Sequence, residues 1–110
     1  MKNDYCVVFV TAKNKQEAEK IARGLLQARL AACVNIMEGV KSLFMWEGKL
    51  DTAQEVLLVI KTQQKLFSSL AKKVKALHSY KVPEIIALPI IAGDKAYLQW
   101  VKENTQHHTS

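Results

Sequence analysis

The spacing of hydrophobic positions along the chain predicts strands and helices in alternation. Residues 5–12 are aromatic and β-branched, which predicts a first strand. Apolar positions three and four apart then predict a helix from Asn14 to about Leu30, and Glu17 stands three residues after Asn14 as in a capping box. A second apolar stripe of this kind predicts a helix over residues 64–77.

Two long apolar segments between these helices predict a hairpin. The second strand covers residues 32–46 and is interrupted at Glu38 and Gly39, where a glycine within a strand indicates a bulge or a bend. A turn at residues 47–49 leads into the third strand, over residues 51–62. Both strands are long for a domain of this size, so we expect the hairpin to project beyond the sheet.

The last part of the chain predicts one more strand and one more helix. Residues 84–91 form the fourth strand, and Pro89 places its end at a sheet edge or a bulge because proline cannot donate to a ladder. Asp94 is expected to cap a short C-terminal helix. Residues 1–104 are therefore predicted to form one domain, followed by a polar tail over residues 105–110.

The order β-α-β-β-α-β-α predicts an α+β fold of the ferredoxin-like type, with an antiparallel sheet and two helices on one face. The first, third and fourth strands are apolar at both alternating sets of positions, whereas a sheet with one wet face would alternate apolar with polar residues. The short last helix is too small to cover the second face. We therefore expect other subunits to cover it, in a closed homo-oligomer that also pairs the projecting hairpin.

Composition and charge narrow the function classes. The 110 residues are 49% hydrophobic, and no apolar run approaches the ~20 residues of a membrane span. No signal peptide is visible at the N-terminus, which predicts a cytoplasmic protein without a membrane partner. The net charge is +6, but the lysines are dispersed and no basic strand carries aromatic residues, which argues against nucleic-acid binding. No phosphate loop, CxxC, HExxH or GxSxG motif is present, so we expect no enzymatic activity.

His78 and Glu84 carry the strongest candidate chemistry. Imidazole suits copper, zinc and nickel, and His78 lies just past a helix end, which favours its protonated form. The alternative for His78 is a capping or hydrogen-bonding role. Glu84 opens an apolar strand and is expected either to bind metal beside His78 or to pair with Lys81, or with Lys49 of a neighbouring subunit.

The remaining candidates have a functional and a structural interpretation each. Cys33 is a soft ligand if its side chain reaches a subunit cleft and a core residue if it points inward, and the core is favoured. Cys6 is interpreted as a buried apolar residue. Trp46, Lys49 and Tyr80 are expected to line a crevice between subunits, and the favoured role of the two aromatic residues is to anchor the interface. His107 and His108 are adjacent in the polar tail, and we expect such a pair to bind metal only weakly.

Five motifs occur in a characteristic order: LAACVNI (30–36), WEGK (46–49), EVLLVIKT (55–62), HSYKVPEIIALPI (78–90) and YLQW (97–100). Together they resemble the CutA family, the divalent-cation tolerance proteins, over nearly the whole chain. The resemblance implies a cytosolic homotrimer with interlocking hairpins, similar to PII-type signalling trimers, and a link to copper and other divalent metals without an enzymatic reaction. Family members often have proline at the position of Ser79, and some place metal-binding residues where this chain has Val10 and Leu77.

The sequence therefore predicts a trimeric protein that binds a divalent metal ion in a cleft between subunits. Copper is the leading candidate and zinc is a second one. His78 is placed at the centre of the site, with Glu84 or Cys33 assisting. The alternative function is a PII-like signalling or scaffolding trimer, in which the same cleft binds a small anionic ligand or a protein partner.

Overall fold

A computed structural model describes residues 4–105; the predicted tail beyond Thr105, with His107 and His108, lies outside the described residues. The described elements are β1 (Tyr5–Ala12), α1 (Lys15–Gln27), β2 (Cys33–Trp46), β3 (Lys49–Gln63), a 3-10 turn (Gln64–Leu66), α2 (Phe67–Leu77), β4 (Ile85–Pro89) and α3 (Lys95–Glu103). The second predicted helix thus begins with a 3-10 turn, and the fourth strand is shorter than predicted at both ends.

The four strands form one sheet in the order β2-β3-β1-β4, and every neighbouring pair is antiparallel. This is the predicted ferredoxin-like arrangement, in which α1 and α2 each connect strands that are not neighbours. β4 is an edge strand, and its last residue, Pro89, lies opposite Cys6. The sheet edge is the position where a missing N–H is tolerated.

Helix α1 begins as predicted but ends three residues earlier. The Asn14 side chain accepts a hydrogen bond from the Glu17 N–H at 2.8 Å, while the Glu17 carboxylate accepts from the Lys13 N–H instead of from Asn14 as in a capping box. At the other end, Arg29 adopts φ +58°, and the Leu30 N–H bonds to the Leu25 carbonyl. This is a Schellman ending in which arginine occupies the place usually held by glycine.

The hairpin of β2 and β3 contains the predicted bulge. The register shifts between Met37 and Val40, where Gly39 has φ +81°. The strands are joined by a two-residue turn at Glu47 and Gly48, both with positive φ, as the favoured hairpin turn requires. β3 begins at Lys49, two residues before its predicted start.

The core lies between one sheet face and the helices α1 and α2. Its largest fully buried side chains are Ile21, Leu25, Leu58, Ile60 and Leu70. Cys6 is part of this core, as expected, and burial raises the pKa of its thiol. The helices approach closely at Gly24, where an added Cβ would lie 2.7 Å from Leu77 Cδ1, so close packing explains the glycine within α1.

The opposite sheet face is covered only at one end, by α3. Val101 of α3 is buried there, and the Gln63 side-chain amide donates to the Thr105 hydroxyl oxygen at 2.9 Å. Thr105, the first residue of the predicted tail, is fully buried by this contact. No other part of residues 4–105 covers the rest of the face: Ile86 is 51% exposed and Leu88 is 53% exposed.

Candidate functional site

His78 lies at the junction of α2, α1 and β1. The helix ends at Leu77, and the extended backbone of His78 turns the imidazole back into the protein, where the side chain is completely buried. Its Nε2 lies 2.7 Å from the Thr11 carbonyl oxygen, and its Nδ1 accepts a hydrogen bond from the Tyr80 N–H at 3.0 Å. A carbonyl only accepts and an amide N–H only donates, so this pattern requires the neutral tautomer with the proton on Nε2. These hydrogen bonds therefore hold the neutral His78 ring and not the protonated form that the sequence predicts at a helix end.

Glu17 is the acidic residue of this corner. Its carboxylate accepts hydrogen bonds from the Lys13 N–H at 3.0 Å and from the Ser79 N–H at 2.8 Å, and it lies 3.9 Å from His78 Nδ1. Burial acts to raise the pKa of Glu17, but the hydrogen bonds from Ser79 and Lys13 outweigh it and hold the pKa below its ordinary value. Glu17 therefore links the start of α1 to the segment after α2.

Tyr80 connects the same segment to the sheet. Its ring lies against the His78 ring, with centroids 4.7 Å apart, and its hydroxyl donates to Glu55 Oε2 at 2.9 Å. Burial, the hydrogen bond to Glu55 and the negative charges of Glu55 and Glu17 raise the pKa of Tyr80 to about 12. The phenol is thus held in its neutral, donating form. We call the group of His78, Glu17, Ser79, Tyr80 and Glu55 the polar corner.

The other two predicted metal ligands have different surroundings. Glu84 is exposed just before β4, and among residues 4–105 it forms no ion pair, with Lys81 or with any other cation. Cys33 opens β2 and is half-buried, but it is not part of the core between helices and sheet. It contacts Tyr97 of α3 on the opposite face, where burial and the neighbouring Cys33 raise the pKa of the Tyr97 phenol. The favoured core interpretation of Cys33 is therefore wrong.

Trp46 and Lys49 form the last cross-strand pair at the tip of the hairpin. Lys49 precedes Glu55, the partner of Tyr80, by six positions of one strand, or about 20 Å. Within one chain these two residues therefore lie far from Tyr80. Of the six predicted site residues, the structure brings His78 and Tyr80 together and pairs Trp46 with Lys49 at the hairpin tip. Glu84 and Cys33 are in neither pair.

The described residues contain no cluster of three or more His, Cys, Asp or Glu side chains able to hold a metal ion. Sequence reasoning missed Glu17 and Glu55 as partners of the predicted site. Glu17 had a usable signal, because it lies one turn before Ile21 on the apolar stripe of α1, and a carboxylate on such a stripe must be paired when it is buried. The hydrogen bond that His78 donates to Thr11 had no such signal, since its acceptor is a backbone carbonyl.

These features define a small α+β protein of ferredoxin-like topology, with a hydrogen-bonded polar corner on one side of its sheet and an uncovered apolar surface on the other. Residues 6–104 match the family model described as CutA1 divalent ion tolerance protein. The chain belongs to this family.

Individual relatives agree with this assignment. The Thermus thermophilus divalent-cation tolerance protein CutA is 48% identical over 99 residues, covering 90% of this chain and 96% of the relative. A chloroplastic CutA of Arabidopsis thaliana is 48% identical over 92% of this chain, which spans only 56% of that protein. The crystal structure of CutA1 from Oryza sativa superposes with a TM-score of 0.92 at 44% identity, covering 97% of this chain and 100% of that one. None of these three names describes an enzyme.

Among residues 4–105, no helix has the length and apolarity needed to cross a bilayer.

Proposed function

We propose that this chain acts as a cytoplasmic homotrimer in divalent-cation tolerance, binding copper in the cleft between subunits and catalysing no reaction. The uncovered apolar surface is the observation that carries the proposal. Membership of a family named for divalent ion tolerance supports the metal, and zinc is the second candidate ion.

The surface that supports the trimer has two parts. On the open sheet face, Ile86 and Leu88 are more than half exposed and lie beside the half-buried Val7 and Phe9. On the hairpin, the large apolar side chains that remain exposed are Leu43, Phe44, Met45, Trp46 and Leu50. Contiguous apolar surface of this kind marks an interface. Trp46 and Lys49 reach a polar corner only if it belongs to a neighbouring subunit.

The metal site is tied to this assembly. Because His78, Glu84 and Cys33 form no three-ligand cluster within one described chain, a copper site needs ligands from more than one subunit. Copper also needs a free imidazole nitrogen, so His78 must give up either the Thr11 carbonyl or the Tyr80 N–H. A neutral hydrogen bond contributes about 1 kcal/mol, which is small beside strong Cu–imidazole coordination.

Calorimetric titration with Cu(II) and Zn(II) tests the metal site. The protein should end after Thr105, because Thr105 is buried while His107 and His108 would add their own signal. We expect saturable copper heat in this protein, its loss in His78→Gln, and a weaker loss in Glu84→Gln and Cys33→Ser. Tyr80→Phe is the matched control, because it alters the same corner without removing a predicted ligand. No saturable heat in the parent protein, or equal heat in His78→Gln, would contradict the site.

The PII-like signalling or scaffolding trimer is the second candidate function. The observation that favours it is the saturation of His78, since both ring nitrogens already have partners. In this case the trimer forms, copper gives no specific heat, and the cleft binds a small anion or a protein partner.

A further inference from the structure

The charge of this protein is segregated between its two layers. Residues 13–30 and 64–81, which contain α1 and α2 and which we call the helical layer, carry ten lysines and arginines but only two glutamates. The remaining described residues carry five lysines and eight carboxylates. The helical layer therefore has a net charge of +8 and the rest a net charge of −3. Such a field attracts anionic ligands to the outer helical surface.

A continuous groove runs along the seam between α1 and α2. It consists of two depressions, of about 480 and 610 Å³, that share Gln16, Lys20 and Leu77. Lys20 and Arg23 of α1 line it from one side, and Lys73 of α2 lines it from the other, with its stem 3.7 Å from the position of a Gly24 Cβ. We call this feature the seam groove.

The cations of the seam groove have no partners among residues 4–105. Lys20, Arg23 and Lys73 form no ion pair or side-chain hydrogen bond there. Two carboxylates also line the groove. Glu17 is buried and already accepts hydrogen bonds from the Lys13 and Ser79 N–H groups, which leaves the half-buried Glu19 as the other carboxylate of the groove. The cationic side chains are therefore available to an anion.

The shape and composition of the groove favour a thin chain of phosphates. The seam follows α1 for about 20 Å, enough for several linked phosphates. Lysine binds phosphate as a point charge, and the amides of Gln16 and Gln27 add donors. The exposed large aromatic residues of the described chain, which are Phe44, Trp46, Tyr97 and Trp100, all lie outside the helical layer, so nucleic-acid bases would find nothing to stack on.

A membrane surface fits less well. A bilayer is flat, whereas these cations line both sides of a concave groove. Leu26 is the only exposed large apolar residue of the helical layer among residues 4–105, so the layer has little to insert between lipids. We propose that the seam groove binds linear inorganic polyphosphate, with Lys20, Arg23 and Lys73 as the main contacts. His78 and Ser79 line one end of the groove, but none of the three main contacts is a predicted metal ligand, so the proposal does not depend on the metal.

Titration of the full chain with linear inorganic polyphosphate, in the presence of a chelator and at several salt concentrations, tests the proposal. We expect the double variant Lys20→Gln/Lys73→Gln to bind about tenfold more weakly, and the slope of log K against log salt to fall by about two. Lys20→Arg/Lys73→Arg keeps both charges and is expected to keep the affinity within about threefold.

The matched control is Lys65→Gln/Lys75→Gln, which removes two charges from the same layer without touching the groove. We expect it to lose no more than about twofold. Circular dichroism confirms that each variant is folded. The proposal is overturned if the control loses as much as the groove variant, if the parent protein does not bind, or if duplex DNA or anionic vesicles of equal charge bind more tightly than polyphosphate.

Discussion

The two faces of the sheet are made by alternate residues of the same strands, yet residues 4–105 bury only one of the two faces. In β1, Val8 and Val10 point towards the helices and are fully buried, while Val7 and Phe9 point the other way and are only half-buried. Both sets are equally apolar. An apolar strand of this kind predicts cover on both faces, and residues 4–105 supply cover for one of them.

Removing a side chain from the covered face should have the largest effect. Leu58 is completely buried between the sheet and the helices, and Leu58→Ala is expected to lower the free energy of unfolding by about 3 kcal/mol. Chemical denaturation measures this loss, which should persist at every protein concentration because the contacts lie within one chain.

Leu88→Ala makes the matched change on the open face, where the residue is 53% exposed. We expect its effect to depend on the protein concentration and to shrink when dilution separates the subunits, because we propose that the missing contacts lie between subunits. Equal and concentration-independent losses in both variants would show that the two faces do not differ in this way.

The polar corner differs from both apolar faces because its stability depends on a charge, that of the Glu17 carboxylate. Glu17→Gln is expected to destabilise the protein by about 2 kcal/mol near neutral pH, because the carboxylate accepts two backbone hydrogen bonds in a buried position. Its folded pKa is lowered, so the stabilisation is present above the unfolded pKa and is lost as the pH falls through the folded value. Denaturation curves across acid pH should therefore show the two proteins converging. A constant difference would contradict the role of the charge.

Ser79 gives a sharper test of the same corner. Proline at this position removes the N–H that bonds to Glu17, while the extended backbone of His78 already suits a residue that precedes proline. We expect Ser79→Pro to destabilise the protein by about 1 kcal/mol, with the pKa of Glu17 moving upward. Thermal melts compared with Ser79→Ala, which keeps the N–H, separate this bond from the loss of the hydroxyl. Stabilisation by proline would show that the bond contributes nothing.

Tyr80→Phe should have an effect as small as that of Ser79→Pro, about 1 kcal/mol, from loss of the hydrogen bond to Glu55. The folded pKa of Tyr80 is raised to about 12, so its contribution is present below the unfolded value near 10 and is lost as the pH rises through the folded value. The difference between wild type and Tyr80→Phe should therefore shrink above about pH 10, which alkaline denaturation curves can measure. A difference that grows there would contradict this assignment.

Most of the fold followed from apolar periodicity, because strands and helices of this protein each bury one regular set of positions. The bounds of β1 and the bulge at Gly39 were predicted from sequence and are confirmed. The end of α1 was wrong, since an arginine in a left-handed conformation leaves no mark in the sequence.

The candidate site was harder to predict than the fold. Side-chain chemistry identified His78, but the neutrality of its ring depends on a backbone carbonyl of β1 and a backbone N–H two residues later. Every residue carries a backbone carbonyl, and almost every residue carries a backbone N–H, so the sequence does not reveal which of them will pair with His78. The corner is therefore recognisable only after the chain has folded, whereas the apolar face was visible beforehand.

Sedimentation velocity at micromolar concentration tests the central claim, that the open face and the hairpin are covered by other copies of this chain. We expect the wild-type protein to sediment as a trimer, and Ile86→Lys, which places a charge on the open face, to shift it towards smaller species. A stable, folded wild-type monomer at that concentration would contradict the claim.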